Sequence, residues 1–175
     1  RVTGELEGLL CTVNQAVDQC RGLISSLRPD LIDTLGLVPA LRNLFDTYTG
    51  ATGVKVQASL PKKVEASAAV SICLYRAAQE ALANIHKHSG AKVAYVNLTE
   101  QCGGVTLTVS DKGKGFDNSL SEPWKISPNK LGLLYTKERV ESVGGRFTIT
   151  AGRNAGCTME AQIPLIVEET FYGQY

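Results

Sequence analysis

Residues 74–89 read L-Y-R-A-A-Q-E-A-L-A-N-I-H-K-H-S. Apolar side chains recur three or four positions apart here, which predicts a helix, and the helical pattern extends back to Lys63. The predicted buried stripe consists of Leu74, Ala78, Ala81 and Ile85. The spacing places four polar residues together on another face: Glu80, Asn84, Lys87 and His88. This polar face is either a solvated surface or part of a binding site.

A second polar element follows an alternating strand that ends at Asp111. Gly113 and Gly115 come next, and glycine allows a positive φ and lets the backbone approach a flat ligand closely. A carboxylate at a strand end can accept a hydrogen bond from an exocyclic amine. Further along, Gly132 opens a helix whose free N–H groups favour phosphate. Taken singly, these elements are equally compatible with an ordinary loop and an ordinary helix start.

The rest of the chain alternates between predicted helices and strands, which indicates an α/β domain. Helical patterns cover residues 35–48 and 133–143. Alternating or β-rich segments, which predict strands, are 54–60, 93–99, 105–109, 146–150 and 158–163.

Two further segments have a distinct character. Leu6 to Leu27 carry apolar residues at three of every seven positions, which predicts a bundle helix that ends at Pro29, so that a second domain begins near residue 30. Residues 118–130 contain two prolines and no hydrophobic period, and we predict that they form a mobile lid.

The composition excludes several classes of protein. Hydrophobic residues make up 43% of the 175 residues, and 18 basic side chains balance 17 acidic ones, so neither a disordered chain nor a polybasic nucleic-acid binder is expected. No apolar run approaches the ~20 residues of a membrane span, so we expect no membrane contact. Five scattered cysteines favour a reducing, cytoplasmic compartment. The first residues show neither Met nor a signal-peptide pattern, and we expect the chain to be a fragment.

Four motifs occur in a fixed order: E-x-x-x-N-x-x-K-H, D-x-G-x-G-F, L-G-L and G-C-T. Together they resemble the N box and glycine boxes in the ATP-binding domain of bacterial sensor histidine kinases, and the resemblance covers residues 27–164. Residues 27–37, 74–89 and 136–145 resemble the nitrate-sensor and fatty-acid-desaturation-sensor subfamily.

The resemblance implies a two-layer α/β sandwich in which helices cover one face of a mixed sheet. It implies three regions: residues 1–28 as the second helix of a dimerisation hairpin, 29–165 as the ATP-binding domain and 166–175 as a tail. The implied function is ATP·Mg²⁺ binding and transfer of the γ-phosphoryl group to a histidine of a dimerisation domain outside this chain. A homodimer through the N-terminal helix and a response regulator are the implied partners. The implied location is the cytoplasm, whether or not the parent kinase is anchored in the inner membrane.

The resemblance also implies roles for the polar face of the helix. Asn84 would offer its amide oxygen to Mg²⁺, which prefers oxygen ligands. Glu80 would orient or deprotonate the attacking histidine. Lys87 and His88 would contact phosphate oxygens. Arg76, one turn before Glu80, is expected to pair with it structurally.

Further implied roles belong to the glycine boxes. Asp111 would recognise the adenine amine, Gly113 and Gly115 would shape the base pocket, and Thr158 would support the adenine-binding carboxylate. In the L-G-L box, Gly132 and its neighbour Leu133 would let the lid backbone approach the phosphates.

This sequence departs from the family pattern in two places. Lys130 stands where the lid box usually has a glycine, so that the lid either closes differently or uses the lysine to reach a phosphate. Cys157 stands where a threonine is common. Three alternatives stay open: a regulatory pseudokinase, a serine kinase of the anti-sigma type and a purely structural dimerisation domain.

Overall fold

The computed structural model describes residues 29–116 and 131–165. Its helices are α1 (Pro29–Leu35), α2 (Leu37–Thr52), α3 (Ala68–Asn84) and α4 (Leu131–Ser142), and a π-helical turn (Ile85–Ser89) continues α3. Its strands are β1 (Lys55–Ser59), β2 (Val93–Gln101), β3 (Gly104–Asp111), β4 (Arg146–Gly152) and β5 (Gly156–Pro164). The predicted bundle helix, lid and tail lie outside these residues.

The five strands form one mixed sheet in the order β1-β2-β3-β5-β4. β1 pairs in parallel with β2, and the other neighbours are antiparallel. Along β3 every second side chain is buried, from Val105 through Leu107 and Val109 to Asp111. Because side chains alternate between the two faces of a strand, one face of the sheet lies under the helices and carries the core. The predicted α/β fold with a mixed sheet is confirmed.

Helix α3 lies at the centre of the core. Its predicted stripe is buried, since Leu74 and Ala78 have no exposed surface and Ala81 and Ile85 are each 5% exposed. The helix begins at Ala68 rather than at Lys63, because the Ser67 side chain caps it by accepting a hydrogen bond from Val70 N.

The boundaries of α2 also differ from the prediction. The helix predicted over residues 35–48 corresponds to α2, which begins at Leu37 because Gly36, at a φ of 83°, separates it from α1, a helix that the pattern did not predict. Helix α2 then continues to Thr52 and ends where Gly53 adopts a left-handed conformation. Among the described residues, no helix has the length and apolar character needed to cross a membrane.

Candidate nucleotide-binding site

The described residues enclose a cavity of about 290 Å³ between α3 with its π-helical turn and the sheet. The helix side contributes three of the predicted polar residues, Glu80, Asn84 and His88. The sheet side contributes Asp111 together with apolar side chains. The apolar lining consists of Val109, Ile149, Met159, Phe116 and Leu133, together with Ala81 and Ile85 of the helix side. A cavity with apolar walls and a few convergent polar groups has the form of a small-ligand site.

The π-helical turn sets the end of the polar face. Ile85 and Ser89 are buried, whereas the three residues between them are exposed. His88 lies at the rim of the cavity, and Lys87 is exposed on the same turn but is not among the cavity-lining residues. Gly90, at a φ of 72°, ends the turn and leads the chain toward β2. Irregular π turns of this kind are frequent at functional sites.

Glu80 and Asn84 are joined within the helix. Asn84 Nδ2 donates a hydrogen bond to Glu80 Oε1 over 3.1 Å, and both residues are partly buried. Arg76 does not pair with Glu80 as expected, because its guanidinium donates instead to Gln79 Oε1 at 2.9 Å.

The carboxylate of Asp111 is buried and held by two donors. Ser89 Oγ donates to Asp111 Oδ1 at 2.5 Å, and Gly113 N donates to the same oxygen at 2.7 Å. Asp111 is only 7% exposed, yet it lines the cavity. A buried carboxylate oxygen without these donors would carry an unsatisfied charge, so the two hydrogen bonds make this position possible.

Close packing explains the glycines around Asp111. A Cβ at Gly113 would collide with the hydroxyl and the carbonyl of Ser89. Gly115, at a φ of 56°, lies against the carbonyls of Gly152 and Gly156, and a Cβ at Gly156 would collide with the carbonyl of Asp111. No side chain fits at these contacts, so the loop after β3 and the β4–β5 turn can approach each other only with glycine here.

The structure does not bring Thr158 to the carboxylate. In the β3–β5 ladder Asp111 faces Cys157, whereas Thr158 pairs with Ser110 and so belongs to the other face of the sheet. Cys157 lines the cavity, and burial, followed by the negative charge of Asp111, raises the pKa of its thiol to about 11. The assignment of Thr158 to this carboxylate is therefore not supported, and the thiol of Cys157 is the neighbouring group.

Gly132 lies in the first turn of α4, directly against Glu80. A Cβ at this glycine would collide with the Glu80 carboxylate. The adjacent Leu133 lines the cavity, while Lys130 lies outside the described residues.

Sequence reasoning missed one residue of this site, Ser89, which is buried. The signal that could have identified it is its spacing, because Ser89 lies four positions after Ile85 and so continues the buried stripe of the helix.

Residues 69–167 match the family described as histidine kinase-, DNA gyrase B- and HSP90-like ATPase. The chain belongs to this ATPase family. The resemblance stated from the motifs is thus confirmed at the level of the family.

Two relatives of the chain are named as histidine kinases. The chain is 33% identical over 166 residues to the signal transduction histidine-protein kinase/phosphatase DegS of Brevibacillus brevis, covering 94% of this chain and 42% of that protein. It is 34% identical over 159 residues to the sensor histidine kinase MctS of Rhizobium johnstonii, covering 87% of this chain and 32% of that protein. The chain therefore spans less than half the length of these relatives.

The solved structure of the histidine kinase AdeS from Acinetobacter baumannii has a similar fold. The TM-score is 0.62 at 14% sequence identity, and the match covers 91% of this chain and 85% of that one. At this identity the similarity establishes the fold of the ATPase-family domain.

Proposed function

We propose that this chain is the ATP-binding catalytic domain of a sensor histidine kinase. In this role it binds ATP with Mg²⁺ and transfers the γ-phosphoryl group to a histidine on the dimerisation domain of the kinase. The observation that carries the proposal is that one cavity is lined by Asp111 on the sheet side and by Glu80 and Asn84 on the helix side. The reaction requires a group that recognises the base, which would be Asp111. It also requires groups that bind the metal and activate the acceptor histidine, which would be Asn84 and Glu80.

The Asp111 side of the cavity would hold the adenine. Both hydrogen bonds described for the carboxylate end on Oδ1, so Oδ2 is the oxygen available to accept from the exocyclic amine of adenine. Guanine carries a carbonyl oxygen at that position, so that two hydrogen-bond acceptors, this oxygen and Asp111 Oδ2, would face each other. The apolar side chains of Val109, Met159 and Ile149 would contact the faces of the base.

The Asn84 side of the cavity fits a magnesium ion. The described residues contain no group of three or more His, Cys, Asp or Glu that could enclose a metal. Mg²⁺ commonly uses only one or two protein oxygens and takes its other ligands from substrate phosphates and water, and the Asn84 amide supplies such an oxygen. When bound, the ion would neutralise the negative charge that develops on the phosphates.

In the transfer step, Glu80 acts as the general base. A nitrogen of the acceptor imidazole attacks the γ-phosphorus, the bond from that phosphorus to the β–γ bridging oxygen breaks and ADP leaves. Glu80 accepts the imidazole proton through its carboxylate, which lies on the polar helix face beside Asn84. Lys87, His88 and Lys130 would contact phosphate oxygens, and Gly132 and Leu133 would form the start of the lid.

The remaining expectations concern the parent kinase. Residues 1–28 would supply one helix of the dimerisation hairpin and so pair two copies of the chain. The phosphoryl group would then pass to a response regulator, and the domain would act in the cytoplasm. The named relatives support this assignment, because DegS and MctS are both described as histidine kinases.

Transfer to a separate acceptor tests the proposal. The chain is incubated with γ-labelled ATP, Mg²⁺ and a helical-hairpin protein that carries the acceptor histidine of a related kinase. We expect acid-labile label on the acceptor, none on an acceptor whose histidine is replaced, and none on His86 or His88 of this chain. ATP binding without any transfer would favour a regulatory pseudokinase, and acid-stable label on a serine would favour the serine-kinase alternative.

A further inference from the structure

Ser89 contacts the Asp111 carboxylate from a separate element of the fold. Ser89 is the last residue of the π-helical turn, and Asp111 is the last residue of β3. The two residues are 22 positions apart in sequence. Both are 7% exposed, so water has little access to the hydrogen bond between them. A hydrogen bond to a charged group under such shielding is among the stronger ones in a protein.

The hydroxyl of Ser89 has a partner both as a donor and as an acceptor. It donates its single proton to Asp111 Oδ1 and accepts a hydrogen bond from Ala91 N at 3.2 Å. The backbone carbonyl of the same residue accepts from Lys114 N at 2.9 Å. Ser89 therefore holds the carboxylate and the loop that follows it at the same time.

The packing leaves this arrangement little freedom. The Ser89 hydroxyl and carbonyl lie directly against Gly113, where a Cβ would not fit. The carbonyl of Lys114 in turn accepts from Asn154 N at 2.7 Å, which ties the loop to the β4–β5 turn. The surrounding backbone thus restricts the position of the Ser89 hydroxyl.

We propose that Ser89 is a positioning residue for base recognition: by occupying Oδ1 of Asp111, it keeps Oδ2 aimed at the exocyclic amine of the bound base. The inference rests on the proposed function, because it assumes that Asp111 recognises adenine. Without the hydroxyl, Oδ1 keeps only the Gly113 amide, and the carboxylate is able to rotate away from the ligand.

The test compares ATP with purine riboside triphosphate, which lacks the 6-amino group. Calorimetry with Mg²⁺ is performed on the wild-type chain, on Ser89→Ala and on Ser71→Ala, a control that removes an equally buried hydroxyl from α3 outside the cavity lining. We expect the wild-type chain and the control to prefer ATP. In Ser89→Ala, ATP binding should weaken by about tenfold or more, whereas binding of the analogue should change by less than about twofold.

The ratio of the two affinities separates positioning from a merely structural role. If Ser89→Ala weakens both nucleotides equally, or neither, the hydroxyl does not act through base recognition and the inference is wrong. If the wild-type chain binds both nucleotides equally well, Asp111 does not recognise the amine, and the proposed adenine site fails together with the inference. A preference for ATP that is lost only in Ser89→Ala supports both.

Discussion

Asn84 donates its side-chain amide proton to the carboxylate of Glu80, with 3.1 Å between Nδ2 and Oε1. This hydrogen bond uses the amide nitrogen as donor, so that the amide oxygen remains available for the proposed Mg²⁺. It also keeps the Glu80 carboxylate within the cavity, where Gly132 packs against it. The two neighbouring residues thus have different proposed roles, and substitutions should distinguish these roles.

Glu80→Gln should keep nucleotide binding and lose phosphoryl transfer. The amide has nearly the same shape and can still accept from Asn84, but it is not a base at neutral pH. General-base catalysis is worth roughly 10²- to 10⁴-fold in rate, so transfer to a separately supplied acceptor should slow by at least about 100-fold. Calorimetry on the same sample verifies that ATP still binds. Transfer at the wild-type rate would remove Glu80 from the role of base.

Asn84→Ala should abolish the dependence of ATP binding on Mg²⁺. The substitution removes the amide oxygen, which is the proposed metal ligand on this face. Titrations with ATP in the presence of Mg²⁺ and of EDTA should give different affinities for the wild-type chain and similar ones for the variant. A variant that still gains affinity on addition of Mg²⁺ would show that the ion is held elsewhere.

Gly113→Ala should destabilise the domain and impair ATP binding. The new Cβ would lie within 2.8 Å of the Ser89 carbonyl carbon, and forced overpacking of this kind costs about 1 to 3 kcal/mol. Gly50→Ala is the matched control, because Gly50 lies inside α2 with nothing within 4 Å of its Cβ position. In urea unfolding the control should be more stable than wild type by about 0.5 to 1 kcal/mol. Equal stability of Gly113→Ala and wild type would contradict the described packing.

The buried thiol of Cys73 should make stability fall at alkaline pH. The residue is 1% exposed, and burial raises its pKa from 9.0 to about 11, although the nearby Arg139 acts in the opposite direction. Because the pKa in the folded state is the higher one, the stabilisation is complete below about pH 9 and is lost as the pH rises to about 11.

The comparison with Cys73→Ala isolates this effect. Between pH 9 and 11 the free energy of unfolding should fall more steeply for the wild-type chain than for the variant, by on the order of 2 kcal/mol over the interval. Contributions from other titrating groups, Cys157 among them, are common to both proteins and cancel. Parallel pH profiles would show that Cys73 is not held as a buried thiol.

The sequence predicts those parts of the site that depend on local spacing. Glu80 and Asn84 lie on one helix face because they are four residues apart, and the buried stripe beginning at Leu74 follows from the same periodicity. Asp111 lies at the end of β3 because an alternating pattern stops there. In each case the decisive interaction lies within one element.

The sequence does not predict features that depend on contacts between elements. The hydrogen bond from Ser89 to Asp111 joins a helical turn to a strand, and its existence depends on how the two pack. Cys157, and not Thr158, lies beside Asp111 because of the register of the β3–β5 ladder. A shift of one residue in this register would move every side chain to the opposite face of the sheet. A five-residue π turn is likewise too short to leave a period of its own in the sequence.

Base selectivity tests the central claim, that the cavity beside Asp111 binds adenine, most directly. Calorimetry in Mg²⁺ compares ATP with GTP on the wild-type chain and on Asp111→Asn. A buried hydrogen-bonding group that is unsatisfied, or that faces a group of the same kind, costs about 1 to 3 kcal/mol. The reference is the affinity of the wild-type chain for ATP. Both the affinity of the wild-type chain for GTP and the affinity of the variant for ATP should be about tenfold or more weaker than this reference. Equal affinities for ATP and GTP, or an unchanged affinity of Asp111→Asn for ATP, would contradict the claim.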